Sequence, residues 1–334
     1  MQTAGPGFPV QYSGYTVHTR RKQCHREQWD LDMSVRERRK AALERKRLIR
    51  RLSGIRQKIG LTQAQVAGVL RWSQSKVHRI ESGENSISYT DLLALLKVYD
   101  VSEDEVVKEL TEMADVARQR SLPEMSDIHS KDFRDYLEAE IIAHTMREFE
   151  YSFVPGLLQT PEYAEAVLHT LLQTASLNGE EKEPVLERIR RIIELRALRQ
   201  QIFHDGGISQ ASFVLDEAVL HRNVGIGEHG GNAVMQAQLE HLKKMSRHPR
   251  VDLRILPFGA GAHVGMNGPF VILAFPDPDD FPLLYLENAA GEYLTKHDQR
   301  QVRQFITNFE TLQTQSVRED KLDDLIDPVL TRLD

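Results

Sequence analysis

The sequence predicts an α+β protein with an all-α N-terminal domain of five helices and a larger C-terminal α+β domain whose sheet is mainly antiparallel. Three observations support this fold class. Apolar residues recur at helical spacing between capping residues from about 34 to 108. After Gly206 and Gly207, runs of strand-forming residues appear. The length of 334 residues exceeds the usual size of one domain, so a second core is expected.

The first predicted helix is strongly basic. Between residues 36 and 58, eleven Lys and Arg accompany two Glu, a local charge of +9 in a chain of net charge −6. Such a run is often a solvated surface, but it also suits contacts with nucleic-acid phosphates. Arg50, Arg51 and Arg56 are the expected phosphate contacts, because they lie closest to the next two helices. The apolar stripe is Leu48, Leu52, Ile55 and Ile59, and Gly60 ends the helix.

Two short helices joined by a tight turn follow. Thr62 and Gln65 have the spacing of a capping box, which predicts that the second helix begins at Gln63. Ser73 caps the third helix, and Gly83 provides a left-handed stop. The outward positions of the third helix carry no carboxylate, which suits an approach to phosphates and base edges. These positions are Gln74, Ser75, Lys76, His78 and Arg79.

The remaining N-terminal elements complete a predicted domain from 34 to 108. Residues 88–98 form a fourth helix with an apolar face of Leu92, Leu95 and Leu96, and an acidic fifth helix starts near Ser102. Residues 109–129 are predicted to be a linker that contains the end of this helix. Residues 1–33 show no clear periodicity, and we expect them to be disordered.

The C-terminal domain is predicted to span 130–334. Predicted strands cover 212–216, 251–257, 269–275 and 283–288, and short loops between the last strands favour antiparallel pairing. On the helix at 183–203, we expect a buried stripe of Leu186, Ile189, Ile193 and Leu198, and solvent-exposed Arg188, Arg190, Arg191, Arg196 and Arg199. Other helices are predicted at 131–148, from Thr160 with Pro161 in its first turn, and at 231–246, 297–313 and 318–332.

No recognised catalytic motif is present. Candidate acid–base or metal groups near predicted strand ends are Asp216, Glu217, His221, His263 and Glu287, but they have no recognised spacing. We interpret Glu217 as a helix-start carboxylate. The glycine-rich segment 259–268 leads into a strand, so it is interpreted as a loop that closes over a ligand or partner and not as a phosphate cradle. We therefore expect no enzyme activity, no catalytic residues, no cofactor and no metal.

The remaining composition argues against an exported or membrane protein. Cys24 is the single cysteine, which excludes an internal disulfide framework and a cysteine zinc cluster. No apolar run approaches the roughly 18 to 20 residues needed to span a bilayer, and the N-terminus lacks the apolar region of a signal peptide. We expect no membrane partner and a cytoplasmic, nucleoid-associated location.

Residues 62–83 resemble the helix-turn-helix of phage repressor and Cro-type (XRE) regulators, in which one Gln opens the second helix and another opens the third. Gln63 and Gln74 match these places, and Ser75 follows as it often does in that family. The resemblance implies that Gln74 reads an adenine edge, that Gln63 braces it and touches a phosphate, and that Ser75 and Arg79 face bases. Lys76 and His78 would contact the backbone. Arg71 replaces the usual turn glycine, which predicts modest strain.

The second region resembles the C-terminal domain of unknown function in a large actinobacterial regulator family. The resemblance rests mainly on VPGLLQTPEYAEAV at 154–167, VLDEAVLHRNVG at 214–225 and LRILPFGAGAH at 253–263. It implies regulation through a small partner protein encoded nearby, in an antitoxin-like pairing, and it implies no catalytic role.

Together these patterns predict a sequence-specific transcriptional regulator that binds double-stranded DNA as a homodimer. The C-terminal domain is expected to dimerise or to receive the partner or signal that changes DNA affinity. Two alternatives remain open: a transcription factor gated by a small molecule, and a DNA-tethered enzyme of unknown chemistry.

Overall fold

The computed structural model describes residues 33–123, 125–177, 182–224, 231–277, 279–288, 291–295, 298–318 and 320–333. The predicted disorder of the N-terminal extension therefore concerns residues outside the described part of the chain, apart from Met33. The five N-terminal helices are α1 (Val35–Lys58), α2 (Gln63–Leu70), α3 (Gln74–Ser82), α4 (Tyr89–Val98) and α5 (Asp104–Ala117).

Local capping explains where these helices begin and end. Ser34 and Thr62 form capping boxes at the starts of α1 and α2. Ser73 and Ser88 accept a hydrogen bond from the third residue of α3 and α4, so the predicted starts of these helices are confirmed. Gly83 ends α3 with φ of 80°, the predicted left-handed stop.

The turn between α2 and α3 contains the irregular residue predicted from the sequence. Arg71 has φ of 55° and ψ of 36°, a left-handed conformation that glycine adopts more easily. Its amide still donates to the carbonyl groups of Ala67 and Gly68, which closes α2. The left-handed backbone thus falls at the position where Arg71 replaces the usual glycine, and the modest strain expected there stays a prediction.

The C-terminal domain is built on one seven-stranded sheet with the order β6-β5-β4-β1-β2-β3-β7. The strands are β1 (Thr145–Glu150), β2 (Gln210–Asp216), β3 (Val251–Leu256), β4 (Phe270–Ala274), β5 (Leu283–Asn288), β6 (Gly291–Thr295) and β7 (Val317–Arg318). β1, β2 and β3 pair in parallel, whereas the other neighbours are antiparallel.

The prediction of a mainly antiparallel sheet is wrong, because the sheet is mixed. The central strand β1 falls in the segment that the sequence assigned to the end of a helix at 131–148. Helices lie between β1 and β2 and between β2 and β3 along the chain, and such long crossovers permit parallel neighbours. The short loops predicted the antiparallel β4–β5 pair correctly.

Helices cover both faces of this sheet. They are α6 (Lys131–Ile142), α7 (Pro161–Leu177), α8 (Lys182–His204), the short α9 (Ala218–His221), α10 (Asn232–Ser246), α11 (Gln299–Gln315) and α12 (Asp320–Leu333). On one face, Phe149 and Phe270 pack with Phe309 of α11. On the other, Tyr285 of β5 stacks on Tyr136 of α6 with ring centroids 4.5 Å apart. No helix in the described ranges is long and apolar enough to cross a bilayer.

The arginine side chains of α8 are not all in solvent, contrary to the sequence-based expectation. Arg199 is 12% exposed and forms an ion pair with Glu140 at 2.6 Å. Arg196 donates to Gln159, and burial lowers the pKa of Arg196 to about 10. Leu186, expected in the buried stripe, is 47% exposed. The faces of α8 differ from the prediction because α6 and the segment after β1 lie against its arginine side.

The first helix belongs to both domains. The C-terminal half of α1 places Leu48 and Leu52 in the core of the five-helix domain. Its N-terminal half places Ala42 in a cluster with Ile141 and Ile142 of α6 and Ile202 of α8. α1 is therefore a continuous connection between the helix-turn-helix and the C-terminal domain.

We expect Gly83→Ala to destabilise the protein by about 1 to 2 kcal/mol, because an alanine at φ of 80° is strained and its Cβ would lie 2.5 Å from Ile49 Cδ1. Gly54→Ala is the control, since this helical position has no atom within 4 Å of the added Cβ. That change should stabilise α1 by about 0.5 to 1 kcal/mol. Urea unfolding measures both, and equal effects of the two substitutions would contradict the proposed role of Gly83.

Candidate nucleic-acid interface

The outward face of α3 brings together most of the residues predicted to contact DNA. Gln74, Ser75, His78 and Arg79 are exposed, whereas Val77 and Ile80 are buried beneath them. Lys76 is held differently from the others. Its ammonium group lies 2.8 Å from Asp91 Oδ1 and 3.9 Å from the centre of the Trp72 ring, so it connects α3 to α4. Four polar side chains of α3 therefore remain available to a ligand.

A buried carboxylate at the end of α3 positions this face. The Glu81 side chain is 4% exposed. Its carboxylate accepts hydrogen bonds from Arg56 Nε at 2.7 Å and from Arg56 Nη2 at 2.9 Å. This bidentate pair joins α3 to α1. The hydrogen bond to Glu81 raises the pKa of Arg56 above its ordinary value. Removing either partner would leave a charge uncompensated in the interior.

Two further donors complete the surroundings of Glu81. Gln63 Nε2 donates to Oε2 at 2.9 Å, and the Tyr99 hydroxyl donates to Oε1 at 3.2 Å. Burial, together with the charge of Glu81, raises the pKa of Tyr99. The carboxylate thus ties α1, the start of α2, α3 and the end of α4 together. In the free protein both Gln63 and Arg56 donate to Glu81. The phosphate contacts expected of these two side chains stay predictions.

Arg50 and Arg51, the other two arginines of α1 that were predicted to contact phosphates, have different partners. Arg50 forms ion pairs with Asp277 and Asp280 of the loop between β4 and β5. The Asp279 amide and then Arg50 lower the pKa of Asp277. Arg51 lies 3.3 Å from Glu109, and both of these side chains are about half exposed, so this pair is weak. Arg50 is therefore engaged with the C-terminal domain, whereas Arg51 stays accessible.

Lys46 reinforces the contact that Arg50 makes. Its ammonium group lies 2.8 Å from Asp280 Oδ2 and 3.4 Å from the centre of the Phe275 ring. The contact between Lys46 and the acidic loop is not predictable from the sequence, because the two are far apart in the chain and no local pattern joins them.

Four of the five candidate acid–base residues of the C-terminal domain form two separate pairs. Asp216 Oδ2 lies 3.1 Å from His263 Nε2, and Glu217 Oε1 lies 3.3 Å from His221 Nε2. Arg332 donates to His221 Nδ1 at 2.8 Å, which fixes the proton of a neutral His221 on Nε2. Within the described ranges, no group of three or more His, Cys, Asp or Glu side chains could hold a metal ion.

The carboxylates in these pairs also hold the backbone of their loops. Asp216 Oδ1 accepts from the Ala218 amide at 2.8 Å, and Glu217 Oε2 accepts from the Phe258 amide at 2.7 Å. Glu217 stands at the start of α9, as interpreted from the sequence, but its side chain makes no capping bond there. An open groove of about 550 Å³ lies between α9 and α12 and includes Glu217, His221 and Arg332 in its lining.

The carboxyls of Glu148, Glu150 and Glu287 lie on the face of the sheet that is turned toward α6 and α8; Glu148 is buried, Glu150 is partly buried and Glu287 is exposed. Glu148 is 7% exposed, and desolvation raises its pKa to about 8, although Arg199 acts in the opposite direction. Desolvation also raises the pKa of Glu150 and Glu287. Of these, only Glu287 was singled out from the sequence. Glu148 and Glu150 were missed because β1 was not predicted as a strand.

Comparisons with known proteins found two family models that match separate parts of the chain. A family model described as a domain of unknown function (DUF5753) matches residues 133–327, and one described as a helix-turn-helix domain matches residues 34–108. No curated protein and no solved structure matches the chain.

We expect Arg56→Ala to destabilise the protein by about 3 kcal/mol or more, because it leaves the Glu81 carboxylate buried without its cation. Arg47→Ala is the matched control, since Arg47 is 66% exposed and pairs with Glu44 on the surface. It should cost less than about 0.5 kcal/mol. Urea unfolding compares the two variants, and a similar loss in both would show that the buried pair does not hold α3.

Stability should fall as pH rises toward 8 in part because of Glu148. A carboxyl whose folded pKa of about 8 exceeds its ordinary 4.5 contributes stability at acid pH that is lost as pH rises through the folded value. Glu148→Gln should therefore give a shallower decline in melting temperature between pH 5 and 8. Glu240→Gln, which removes one exposed carboxyl, is the control. A decline as steep in Glu148→Gln as in the wild type would contradict this role.

Proposed function

The chain belongs to the family of the domain of unknown function DUF5753, and from this membership and its helix-turn-helix domain we propose that it is a sequence-specific transcriptional regulator. The observation that carries the proposal is the outer face of α3. It presents Gln74, Ser75, His78 and Arg79 to solvent, while the only carboxylate of the helix, Glu81, is buried. A ligand that approaches this face meets hydrogen-bonding and basic groups only.

The proposed recognition assigns a task to each of these side chains. Gln74 reads an adenine edge through its amide, and such a bidentate contact contributes about 1 to 3 kcal/mol of base discrimination. Ser75 and Arg79 face neighbouring bases, and His78 contacts the phosphate backbone. The Arg56–Glu81–Gln63 arrangement supports the proposal because it fixes α3 before DNA binds, so little ordering is needed on binding.

The proposed regulator acts as a homodimer of the phage repressor and Cro type. One recognition helix reads only a few base pairs, and paired half-sites lie about 34 to 36 Å apart. Residues 130–334 dimerise or receive a small partner protein in an antitoxin-like pairing, and they have no catalytic task. The resemblance of segments such as 154–167 to actinobacterial regulators supports this part of the proposal. A protein with this function works in the cytoplasm, where the chromosome lies.

A second candidate function is a regulator gated by a small molecule, and the groove between α9 and α12 favours it. Affinity purification of the full chain followed by native mass spectrometry separates the two. A bound small protein supports partner control, whereas a bound metabolite that is lost after Arg332→Ala supports the gated alternative.

We expect Gln74→Ala to weaken binding to a selected operator duplex by about 5-fold to 100-fold, because it removes the adenine-reading amide. Binding to a duplex of unrelated sequence should stay near the wild-type level, since phosphate contacts supply that affinity. Gln74 makes no side-chain hydrogen bond within the described residues, so folding should be unaffected.

Gln315→Ala is the matched control for this substitution, because Gln315 is an exposed glutamine at the end of α11. It should change neither operator binding nor non-specific binding. Fluorescence anisotropy at fixed salt measures all three proteins. An equal loss on both duplexes after Gln74→Ala would contradict the base-reading role.

A further inference from the structure

Three acidic side chains come together on the face of the sheet that is turned toward α6 and α8. Val271 of β4 pairs with Glu148 on one side and with Tyr285 on the other, so Glu148 and Tyr285 lie in one row of the sheet. β1 and β5 both run antiparallel to β4. Two residues further along each strand, Glu150 and Glu287 therefore occupy the next row on the same face. We name Glu148, Glu150 and Glu287 the carboxyl cluster.

The register sets the spacing within the carboxyl cluster. The Cα atoms of Glu148 and Glu150 are about 7 Å apart along one strand, and Glu150 and Glu287 are two strand spacings apart, about 10 Å. A single metal ion needs its oxygen ligands within about 2.0 to 2.6 Å. Within the described ranges, no group of three or more His, Cys, Asp or Glu side chains is placed to hold one. The spacing therefore suits a longer molecule that reaches several carboxyls.

The floor of the cluster is a buried carboxyl without a partner. Glu148 is 7% exposed, and among the described residues it forms no ion pair and no side-chain hydrogen bond. Its pKa responds to the charge of Glu287, so its carboxyl is directed to the same region as the other two. Glu150 is partly buried and Glu287 is exposed, so the cluster opens to solvent at its outer row. Buried polar groups are normally hydrogen-bonded, and an unpartnered carboxyl indicates a missing donor.

The helices above the cluster supply too little positive charge for it. Arg199 of α8 is engaged by Glu140 of α6, to which it donates at 2.6 and 2.8 Å. Arg196 donates to the neutral Gln159 and forms no ion pair with the cluster. Desolvation and the charge of Arg199 lower the pKa of Arg196 to about 10. One arginine without a carboxylate partner therefore stands against three carboxyls, and the region is acidic once they ionise.

The carboxyls of the cluster also disfavour one another's ionisation. Desolvation raises the pKa of Glu148 to about 8; Arg199 opposes this shift, and Glu287 adds to it. Desolvation, followed by the charges of Glu148 and Glu287, raises the pKa of Glu150. Desolvation also raises the pKa of Glu287, although the arginines of α8 oppose it. A cation bound among them would remove this repulsion and favour the ionised carboxylates.

We propose that the carboxyl cluster binds a small organic cation that carries two or more primary ammonium groups. Each ammonium group has three donors for carboxylate oxygens, and an aliphatic chain between two of them reaches carboxyls that one metal ion cannot. The cation enters at Glu150 and Glu287 and reaches Glu148 beneath them. The inference goes beyond the proposed function, because this binding does not require α3 to bind DNA. The cluster shares no residue with the lining of the groove between α9 and α12.

Isothermal titration calorimetry of the full chain with putrescine, a linear diamine, tests the site. The titration is made at about pH 8.5, where more than half of Glu148 is ionised. Glu148→Gln, Glu150→Gln and Glu287→Gln each remove one carboxyl with little change of shape. The matched control combines Glu105→Gln and Glu240→Gln, two exposed carboxyls of α5 and α10. The near-ultraviolet circular dichroism spectrum confirms that each variant is folded, and Glu287→Gln changes only an exposed side chain.

Each single variant of the cluster should weaken putrescine binding by about 10-fold or more, because a hydrogen bond between charged groups is lost. The control should keep the wild-type affinity. The affinity of the wild type should fall between about pH 8.5 and pH 6, since a protonated carboxyl no longer attracts a cation. Glu148→Gln should make this pH dependence shallower, a change that a purely structural role of Glu148 would not produce.

Four results would overturn the proposal. The first is no binding of putrescine to the wild type, and the second is equal binding by the cluster variants and the wild type. The third is equal affinity for the neutral butanediol, which would show that charge is not recognised. The fourth is binding of Mg²⁺ or of the dianion succinate in place of putrescine, which would show that the class of ligand is wrong. None of these results depends on DNA, so the proposed function is tested separately.

Discussion

The buried carboxylate of Glu81 is the interaction on which the candidate interface depends. Arg56, Gln63 and Tyr99 all donate to it, so one side chain joins four helices at the point where α3 ends. A desolvated ion pair adds little net stability, but loss of one partner strongly destabilises the fold. The main effect of the arrangement is therefore to fix the orientation of α3 relative to α1, α2 and α4. It excludes orientations of α3 in which Glu81 would lack its donors. The same arrangement hides the only carboxylate of α2 and α3 and leaves their outer surface free of negative charge.

The second constraint is the continuity of α1. One 24-residue helix contributes Leu52 to the N-terminal core and Ala42 to a cluster with the C-terminal domain. Its contacts with Asp277 and Asp280 fix one basic face, and Arg56 fixes another. A change in the C-terminal domain that shifts α6 or the loop between β4 and β5 would therefore move α1 as a rigid element. In the proposed regulator, such a movement would reach α3 through Arg56 and Glu81.

Local signals made much of this fold predictable from the sequence. Capping residues such as Thr62, Ser73 and Gly83 act within one helical turn, so the starts of α2 and α3 and the end of α3 were predicted correctly. β1 was missed because TMREFE continues a helical pattern and its burial depends on distant strands. The exposed face of α3 was predicted from spacing alone. The roles of Glu81, Lys46 and Arg50 depend on partners distant in the chain, which no local pattern reveals.

Chemical protection is the most direct test of the central claim that the outer face of α3 holds DNA. Lysine and histidine side chains of the full protein would be modified with and without operator duplex, and the extent at each residue read by mass spectrometry. DNA is expected to protect His78 on α3, while the exposed Lys321 on α12 reacts equally in both samples. Protection of Lys321 with unchanged reactivity at His78 would contradict this claim.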